Sequence, residues 1–322
     1  MEAHGPRTPD RDHAERGPAA PLPPGRGLPG LPERRRCLVM GVVNVTPDSF
    51  SDGGSWFDTG KAVEHGLHLA DQGADIVDVG GESTRPGAQR VSLEEELRRI
   101  EPVVRELARQ GVAVSVDTMR AEVADRAVAA GARLVNDVSG GLADPAMARL
   151  AASTGVAYVL MHWRGHSHRM EDRAVYADVV QEVHDELRDR MAALVDAGVD
   201  PAQIVLDPGL GFSKRPEQAH NWALLAHLDR FADLGRPVLV AGSRKRFLGR
   251  LLSDAEDRPR DFTACDDATV ALTTLAADRG AWCVRVHDVR PNADAVRVAA
   301  AWRSGGADLD AGRGELVGRG GL

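Results

Sequence analysis

Arg285 and His287 stand two residues apart near the end of a short apolar run, WCVRVH (282–287). If that run is a β-strand, its period of two places both side chains on one face, with Cys283 below them and Val284 and Val286 pointing the other way. A guanidinium beside an imidazole suits a phosphate group. An ion pair between Arg285 and the adjacent Asp288 is the plainer alternative. Asp117, Asn136 and Asp207 occupy equivalent places in three other runs, VAVSVD (112–117), RLVND (133–137) and QIVLD (203–207). Two carboxylates and an amide converging in a half-buried pocket suit a flat heterocycle rich in N–H donors, since each acceptor then finds a partner. Asn and Asp are also ordinary turn formers and helix caps, but three repeats of the same placement weaken that reading.

Only Lys61, Lys214 and Lys245 among 40 Lys and Arg residues are lysine. Charge on the surface is therefore written as arginine, and a lysine marks a position where a compact ammonium is wanted in place of a planar fork. For Lys214 an incidental surface position is as good a reading. Two long loops rich in Gly, Pro, Ser and Asp, NVTPDSFSDGGSWFDTG (44–60) and GGESTRPGAQR (80–90), have the composition of lids or ligand clamps. Thr84 and Arg85 could reach a diphosphate, and Asn44 offers a carbonyl oxygen to Mg²⁺, a cation that takes hard oxygen ligands, waters and substrate phosphates. The segment MHWRGHSH holds His162, His166 and His168; without a carboxylate in ligand spacing it reads as a polar loop, not a zinc site.

These residues need elements to hold them, and eight short apolar runs can be counted: 37–44, 75–80, 112–117, 133–137, 156–162, 203–207, 237–241 and 282–287. Amphipathic stretches such as Leu93 to Gln110, Arg120 to Ala130, Tyr176 to Ala197 and Cys265 to Arg279 alternate with them, and Gly73, Gly111, Gly131, Gly155, Gly198 and Gly280 serve as helix stops. Strand, helix, glycine, strand is a βα repeat. Eight repeats predict a single-domain α/β fold, the (β/α)₈ TIM barrel, over residues 36–303. Barrel active sites form at the C-terminal ends of the strands, and each of the eight runs ends in or leads into polar residues there, including Ser243-Arg244-Lys245 after the seventh. Phosphate is often held after the last two strands, which favours an anion at Arg285 over a pair with Asp288. Residues 1–35, rich in Pro, Gly and Arg, are expected to be a disordered extension, and the Gly-rich 304–322 a loose tail.

Composition excludes several classes. Hydrophobic residues make up 43% and charged residues 27% of 322 residues, and no apolar run reaches the ~18 residues of a membrane span. A net charge of −8 repels polyanions and argues against nucleic-acid or anionic-membrane partners. Cys37, Cys265 and Cys283 are an odd number with no CxxC pair, which argues against a disulfide framework. The basic start lacks the apolar core of a secretory signal, so a cytoplasmic location is expected.

Taken in order, MGVVNVTPDSFSDGG, DIVDVGGESTRPGA, VSVDTMR, VNDVSGG, VLMHW, LDPGLGFSK, LVAGSRKRFLG and VRVHDV resemble the dihydropteroate synthase family, in a style close to its actinobacterial members. The resemblance spans about residues 37 to 303. It implies a folate-pathway transferase that condenses 6-hydroxymethyl-7,8-dihydropterin diphosphate with 4-aminobenzoate, giving 7,8-dihydropteroate and diphosphate in tetrahydrofolate biosynthesis. By motif match, Asp117, Asn136, Asp207 and Lys245 would bind the pterin; Thr84, Arg85, Arg285 and His287 the diphosphate; and Phe50, Thr84, Pro86 and Phe212 the 4-aminobenzoate. Asp117, Lys245, Arg285 and His287 would carry catalysis, Asn44 would ligate Mg²⁺, and the protein would be a homodimer acting on small molecules. Ala241 stands where the family usually has Gly, and Ser213 where it has Gly or Ala. Two other functions fit parts of the pattern: a pterin-dependent methyltransferase barrel, which needs no diphosphate cluster, and a pterin-binding paralogue without synthase activity.

Overall fold

The computed structural model describes residues 27–46, 59–82, 91–165, 173–215 and 219–306. Eight parallel strands alternate with helices along the chain. β1 (Leu38–Asn44) leads to α1 (Thr59–Asp71), β2 (Ile76–Gly80) to α2 (Leu93–Arg109), β3 (Val114–Asp117) to α3 (Ala121–Ala130), and β4 (Leu134–Asp137) to α4 (Met147–Thr154). β5 (Ala157–Met161) leads to α5 (Val179–Asp196), and β6 (Ile204–Asp207) to the short α6 (His220–Ala226) and α7 (Leu228–Ala232). β7 (Leu239–Val240) precedes α8 (Arg246–Leu251) and α9 (Asp266–Asp278), and β8 (Cys283–Val286) precedes α10 (Val289–Arg303).

The strands form one sheet in the order β6-β5-β4-β3-β2-β1-β8-β7. A parallel bridge between Leu206 and Val238 joins its two ends and closes the barrel. All eight runs counted in the sequence are therefore strands of one (β/α)₈ cylinder, each trimmed by a residue or two at its ends. Helix boundaries follow the same logic. α2 starts where the Ser92 side chain accepts a hydrogen bond from the Glu95 amide, and it buries Ile100, Val103, Val104 and Leu107 at i, i+3, i+4 and i+7. Gly131 and Gly155 end α3 and α4 with φ of 116° and 68°, where a Cβ would be strained.

Parallel strands buried on both faces divide the core in two. One set of side chains, including Val77, Val79, Val114, Val116, Val135 and Leu206, packs against the helices. The other, Leu38, Met40, Ile76, Leu134, Ala157, Val159, Val205, Leu239 and Cys283, fills the cylinder. Leu28 and Leu31 belong to this inner cluster and are buried. The extension expected to be disordered up to residue 35 therefore contributes to the core through Leu28 and Leu31, a role its Pro- and Gly-rich composition does not signal. Arg36 follows, donating to Asp75 at 2.7 and 3.0 Å, while Asp75 also accepts from the Val39 amide at 2.9 Å. The chain thus enters β1 tied to the residue before β2.

Candidate active site at the C-terminal mouth of the barrel

Strand register places the site. Asn44 pairs with Gly80, Gly80 with Asp117, and Asp117 with Asn136, so the ends of β1 to β4 lie in one row. On the far side Met161 is level with Asp207. The alternation that sends Leu38 and Met40, Leu134, Val205 and Cys283 inward does the same for Asn44, Asn136, Asp207 and Arg285. The plug of the barrel is apolar at its N-terminal end and polar at its mouth.

Inside that mouth the guanidinium of Arg285 donates through Nε to Asp78 at 2.6 Å and through a terminal nitrogen to Asp117 at 2.8 Å. Asn136 donates its side-chain amide to the same Asp78 oxygen at 3.0 Å. Arg285 Cα is level with Met40, and Met40 with Ile76, deeper in the barrel than the row of Asn44 and Asp117. Its side chain therefore climbs past Asp78 to reach Asp117, and Asp288 is not its partner. Burial pushes the Asp117 carboxyl well above the usual range, with Arg285 pulling it down and the neighbouring acids Asp78, Glu96 and Asp137 pushing it further up. For Arg285 burial acts downward, but Asp78 and Asp117 outweigh it and hold the guanidinium charge firmly.

Across the mouth, Asp207 is buried and accepts from the Gly209 amide at 2.7 Å. Burial raises its pKa against the opposing pull of Lys245. The Lys245 ammonium donates to the Leu210 carbonyl at 2.6 Å and sits 4.2 Å from the centre of the Phe212 ring. Burial lowers its pKa to about 8, resisted by Asp207 and Asp117. An ammonium so placed keeps N–H bonds for a ligand while its charge is answered by carboxylates on two sides. Arg244, at φ 55°, turns outward to Asp266 at 2.8 and 3.0 Å, and the next residue, Lys245, turns in. His287 follows β8 directly, and its Nδ1 lies 3.0 Å from the Ser243 hydroxyl, joining the ends of β7 and β8.

The sequence-derived candidates Asp117, Asn136, Asp207, Phe212, Lys245, Arg285 and His287 are thus at the C-terminal ends of β3, β4, β6, β7 and β8, with Asn44 ending β1. Phe50, Thr84, Arg85 and Pro86 lie outside the described residues, as do His166 and His168. Asp78 is not among the sequence-derived candidates, yet it carries a signal: a carboxylate in the middle of IVDVG, a strand buried at all five positions, has to be paired. The barrel sends the neighbours Asn136 and Asp137 to opposite faces of β4. Asn136 faces the mouth, and Asp137 faces the helices, accepting from Ser139, Gly141 and the Tyr158 hydroxyl at 2.7–2.8 Å. Ser213 takes φ 50° with its hydroxyl buried and unpartnered, so this side chain brings backbone strain as well as bulk. Ala241 is buried in the inner core, packed with the residues below the site.

Comparison with known proteins agrees with this geometry. Residues 40–287 match the model of a family described as pterin binding enzyme. A dihydropteroate synthase of Mycobacterium leprae is 54% identical over 273 residues, 84% of this chain and 95% of the relative. A structure of the Xanthomonas albilineans dihydropteroate synthase with 4-aminobenzoic acid superposes with a TM-score of 0.74 at 47% identity, covering 84% of this chain and 94% of that one. The same enzyme in complex with 7,8-dihydropteroate gives 0.73 at 44% identity, with the same coverage of both chains. With one barrel, one polar mouth and relatives matched along nearly their whole length, the chain belongs to the dihydropteroate synthase family of transferases.

Proposed function

We propose that this chain condenses 6-hydroxymethyl-7,8-dihydropterin diphosphate with 4-aminobenzoate to 7,8-dihydropteroate and diphosphate. The observation that carries the assignment is the convergence of Asp117, Asn136, Asp207, Lys245 and Arg285 in a single barrel mouth, which supplies acceptors to one ring edge and cations to its substituent. In this reading Asp117, Asn136 and Asp207 accept from the pterin N–H groups and Lys245 donates to the ring. Arg285 and His287, with Thr84 and Arg85, hold the diphosphate; Phe212, Phe50, Thr84 and Pro86 form the slot for 4-aminobenzoate. Arg285 reaches the substrate only through N–H groups that Asp78 and Asp117 leave over, so it acts as a fixed, compensated dipole more than as a free cation.

Asn44 fits a role toward Mg²⁺ of one kind only. No cluster of three or more His, Cys, Asp or Glu able to cage a metal occurs among the described residues, whereas one inward amide oxygen suits an ion that arrives with phosphate oxygens and water. When bound there, the ion would neutralise charge on the departing diphosphate. The reaction is proposed to be dissociative: the bond from the exocyclic methylene to the diphosphate oxygen breaks first, and the dihydropterin ring spreads the positive charge. Buried Asp117 and Asp207 favour that charge from fixed positions. The arylamine nitrogen then bonds to the methylene and loses its proton.

Diphosphate release should require the pterin substrate, rise steeply with 4-aminobenzoate, and be absent with 4-aminobenzoate alone. A chain that binds pterin diphosphate without ever releasing diphosphate would be a paralogue and would overturn the assignment. Complete absence of bridging-to-nonbridging oxygen exchange without 4-aminobenzoate would remove the dissociative version.

The protein is further proposed to work as a homodimer in the cytoplasm; no helix among the described residues is long and apolar enough to cross a membrane. Val298 and Trp302, one turn apart on α10, are 61% and 82% exposed, and Leu275 on the adjoining α9 is 65% exposed. Such a face suits a second copy of the chain. Trp302→Glu should convert a dimer to a monomer in sedimentation velocity; an unchanged coefficient would place the interface elsewhere.

A further inference from the structure

Lys214 is a buried lysine that the proposed function leaves without a task. Its ammonium donates to the Pro208 carbonyl at 2.8 Å and to His162 Nδ1 at 2.9 Å. Pro208 is the residue after Asp207. His162 is held from the other side, its Nε2 2.9 Å from Glu186 on α5. Because the ionised Glu186 carboxylate can only accept, the ring proton belongs on Nε2, which leaves Nδ1 as the acceptor for Lys214. Burial and Lys214 lower the His162 pKa to about 4, which keeps that ring neutral. Arg164 fixes Glu186 in turn and stacks its guanidinium 3.9 Å from the centre of the Tyr176 ring. The chain of contacts runs from α5 through β5 to the turn that carries Asp207.

That turn has little slack. The Asp207 carbonyl accepts from the His162 amide at 2.9 Å, and its carboxylate accepts from the Gly209 amide. Gly209 has φ 69°, and a Cβ there would stand 2.5 Å from the His162 carbonyl oxygen. Ser213, at its positive φ, delivers Lys214 inward, and its carbonyl is held by the Tyr176 hydroxyl at 2.9 Å. A strained residue beside a buried ammonium is maintained only where the surroundings over-determine it.

We propose that Lys214 is a positioning residue for pterin recognition: clamped by His162 and Glu186, it holds the Pro208 carbonyl and thereby fixes the Asp207 carboxylate at the ring edge. It does not touch the substrate. The inference rests on the proposed function only in taking Asp207 as a pterin ligand.

The test uses binding of 6-hydroxymethylpterin, which lacks the diphosphate, together with KM for 4-aminobenzoate. Lys214→Met should raise the pterin Kd about tenfold, a loss of about 1.4 kcal/mol, and leave the 4-aminobenzoate KM within about twofold. In an Asp207→Asn background the same change should add little, because the group being positioned has been altered. Full additivity of the two changes, or equal loss for both substrates, would overturn the proposal. Glu186→Gln, at a partly exposed helix position, tests the far end of the clamp should Lys214→Met not fold, and should weaken pterin about two- to threefold; no change would also count against it. If Asp207→Asn itself leaves pterin binding intact, the reading of the site fails first. If Asp207→Asn weakens pterin and Lys214→Met does not, only the positioning role fails.

Discussion

Asp78 and Arg285 are 207 positions apart in the chain and 2.6 Å apart in the barrel. Asp78 is completely buried and also accepts from Asn136, so three strands meet on one carboxylate. Removing it would leave the guanidinium, among the described residues, hydrogen-bonded to Asp117 alone, with Asp207 as a more distant countercharge. Breaking a buried pair from one side typically costs about 3–5 kcal/mol. Asp78→Ala should therefore lower the unfolding free energy in urea by about 3 kcal/mol, and pterin binding should fall with it. A loss under about 1 kcal/mol would mean that the pair is solvated and not structural.

Arg285→Lys separates the two tasks of that side chain. Lysine keeps the positive charge but cannot present a fork to Asp78 and Asp117 while leaving N–H groups for a ligand. Binding of pterin diphosphate should weaken by about tenfold more than binding of 6-hydroxymethylpterin, as measured by titration calorimetry. Equal weakening of both would show that Arg285 serves the carboxylates alone.

Much of this was legible before any coordinates, and the reason is periodicity. Strands buried on both faces read as unbroken apolar runs, and Asp117, Asn136 and Asp207 were visible as the polar residues that interrupt them at one end. Arg285 was legible as a strand residue, but its partners were not, because register across β1, β2 and β3 decides whom a long side chain meets. Asp78 was hidden by position: it sits inside a run, not at its end. Leu28 and Leu31 were hidden by composition, two apolar residues in a Pro- and Gly-rich segment whose average gives no sign of a core. Lys214 was flagged by rarity alone, and only the fold shows that it points at the residue following Asp207.

Asn136 and Asp137 are neighbours with opposite assignments, which makes them a paired test. Asn136→Ala should weaken pterin binding while shifting stability modestly, since its amide lies in the mouth. Asp137→Ala should do the reverse. It strips the acceptor from Ser139, Gly141 and Tyr158, and buried donors left unsatisfied cost about 1–3 kcal/mol each. Tyr158→Phe should reproduce part of that loss, about 1 kcal/mol, with pterin affinity unchanged. Stability is read from chemical denaturation and affinity from calorimetry on the same samples. A pterin defect in Asp137→Ala larger than in Asn136→Ala would invert the assignment of strand faces.

One part of the pH dependence of stability comes from His162. Its pKa is lowered from an ordinary 6.5 to about 4, chiefly by burial and next by Lys214. An unfolded chain therefore takes up a proton near pH 6.5 that the native chain refuses until about pH 4. The His162 contribution is fully present above pH 6.5 and falls as pH drops through that window, by at most about 3 kcal/mol. Lys214 is lowered from 10.5 to about 7, again by burial first, so its contribution falls between pH 10.5 and 7 and does not overlap. His162→Gln, which can still accept from Lys214, should flatten the stability profile between pH 6.5 and 4 and leave the alkaline limb in place. Exposed carboxylates titrate in the lower part of the acid window, and buried Asp117, pushed up to about 7, titrates across it with the opposite sign, so the difference between wild type and variant is the quantity to read. An identical acid slope in both proteins would show that His162 takes up its proton in the native state as readily as in the unfolded chain, and Nδ1 could not then serve as the acceptor for Lys214 across that window.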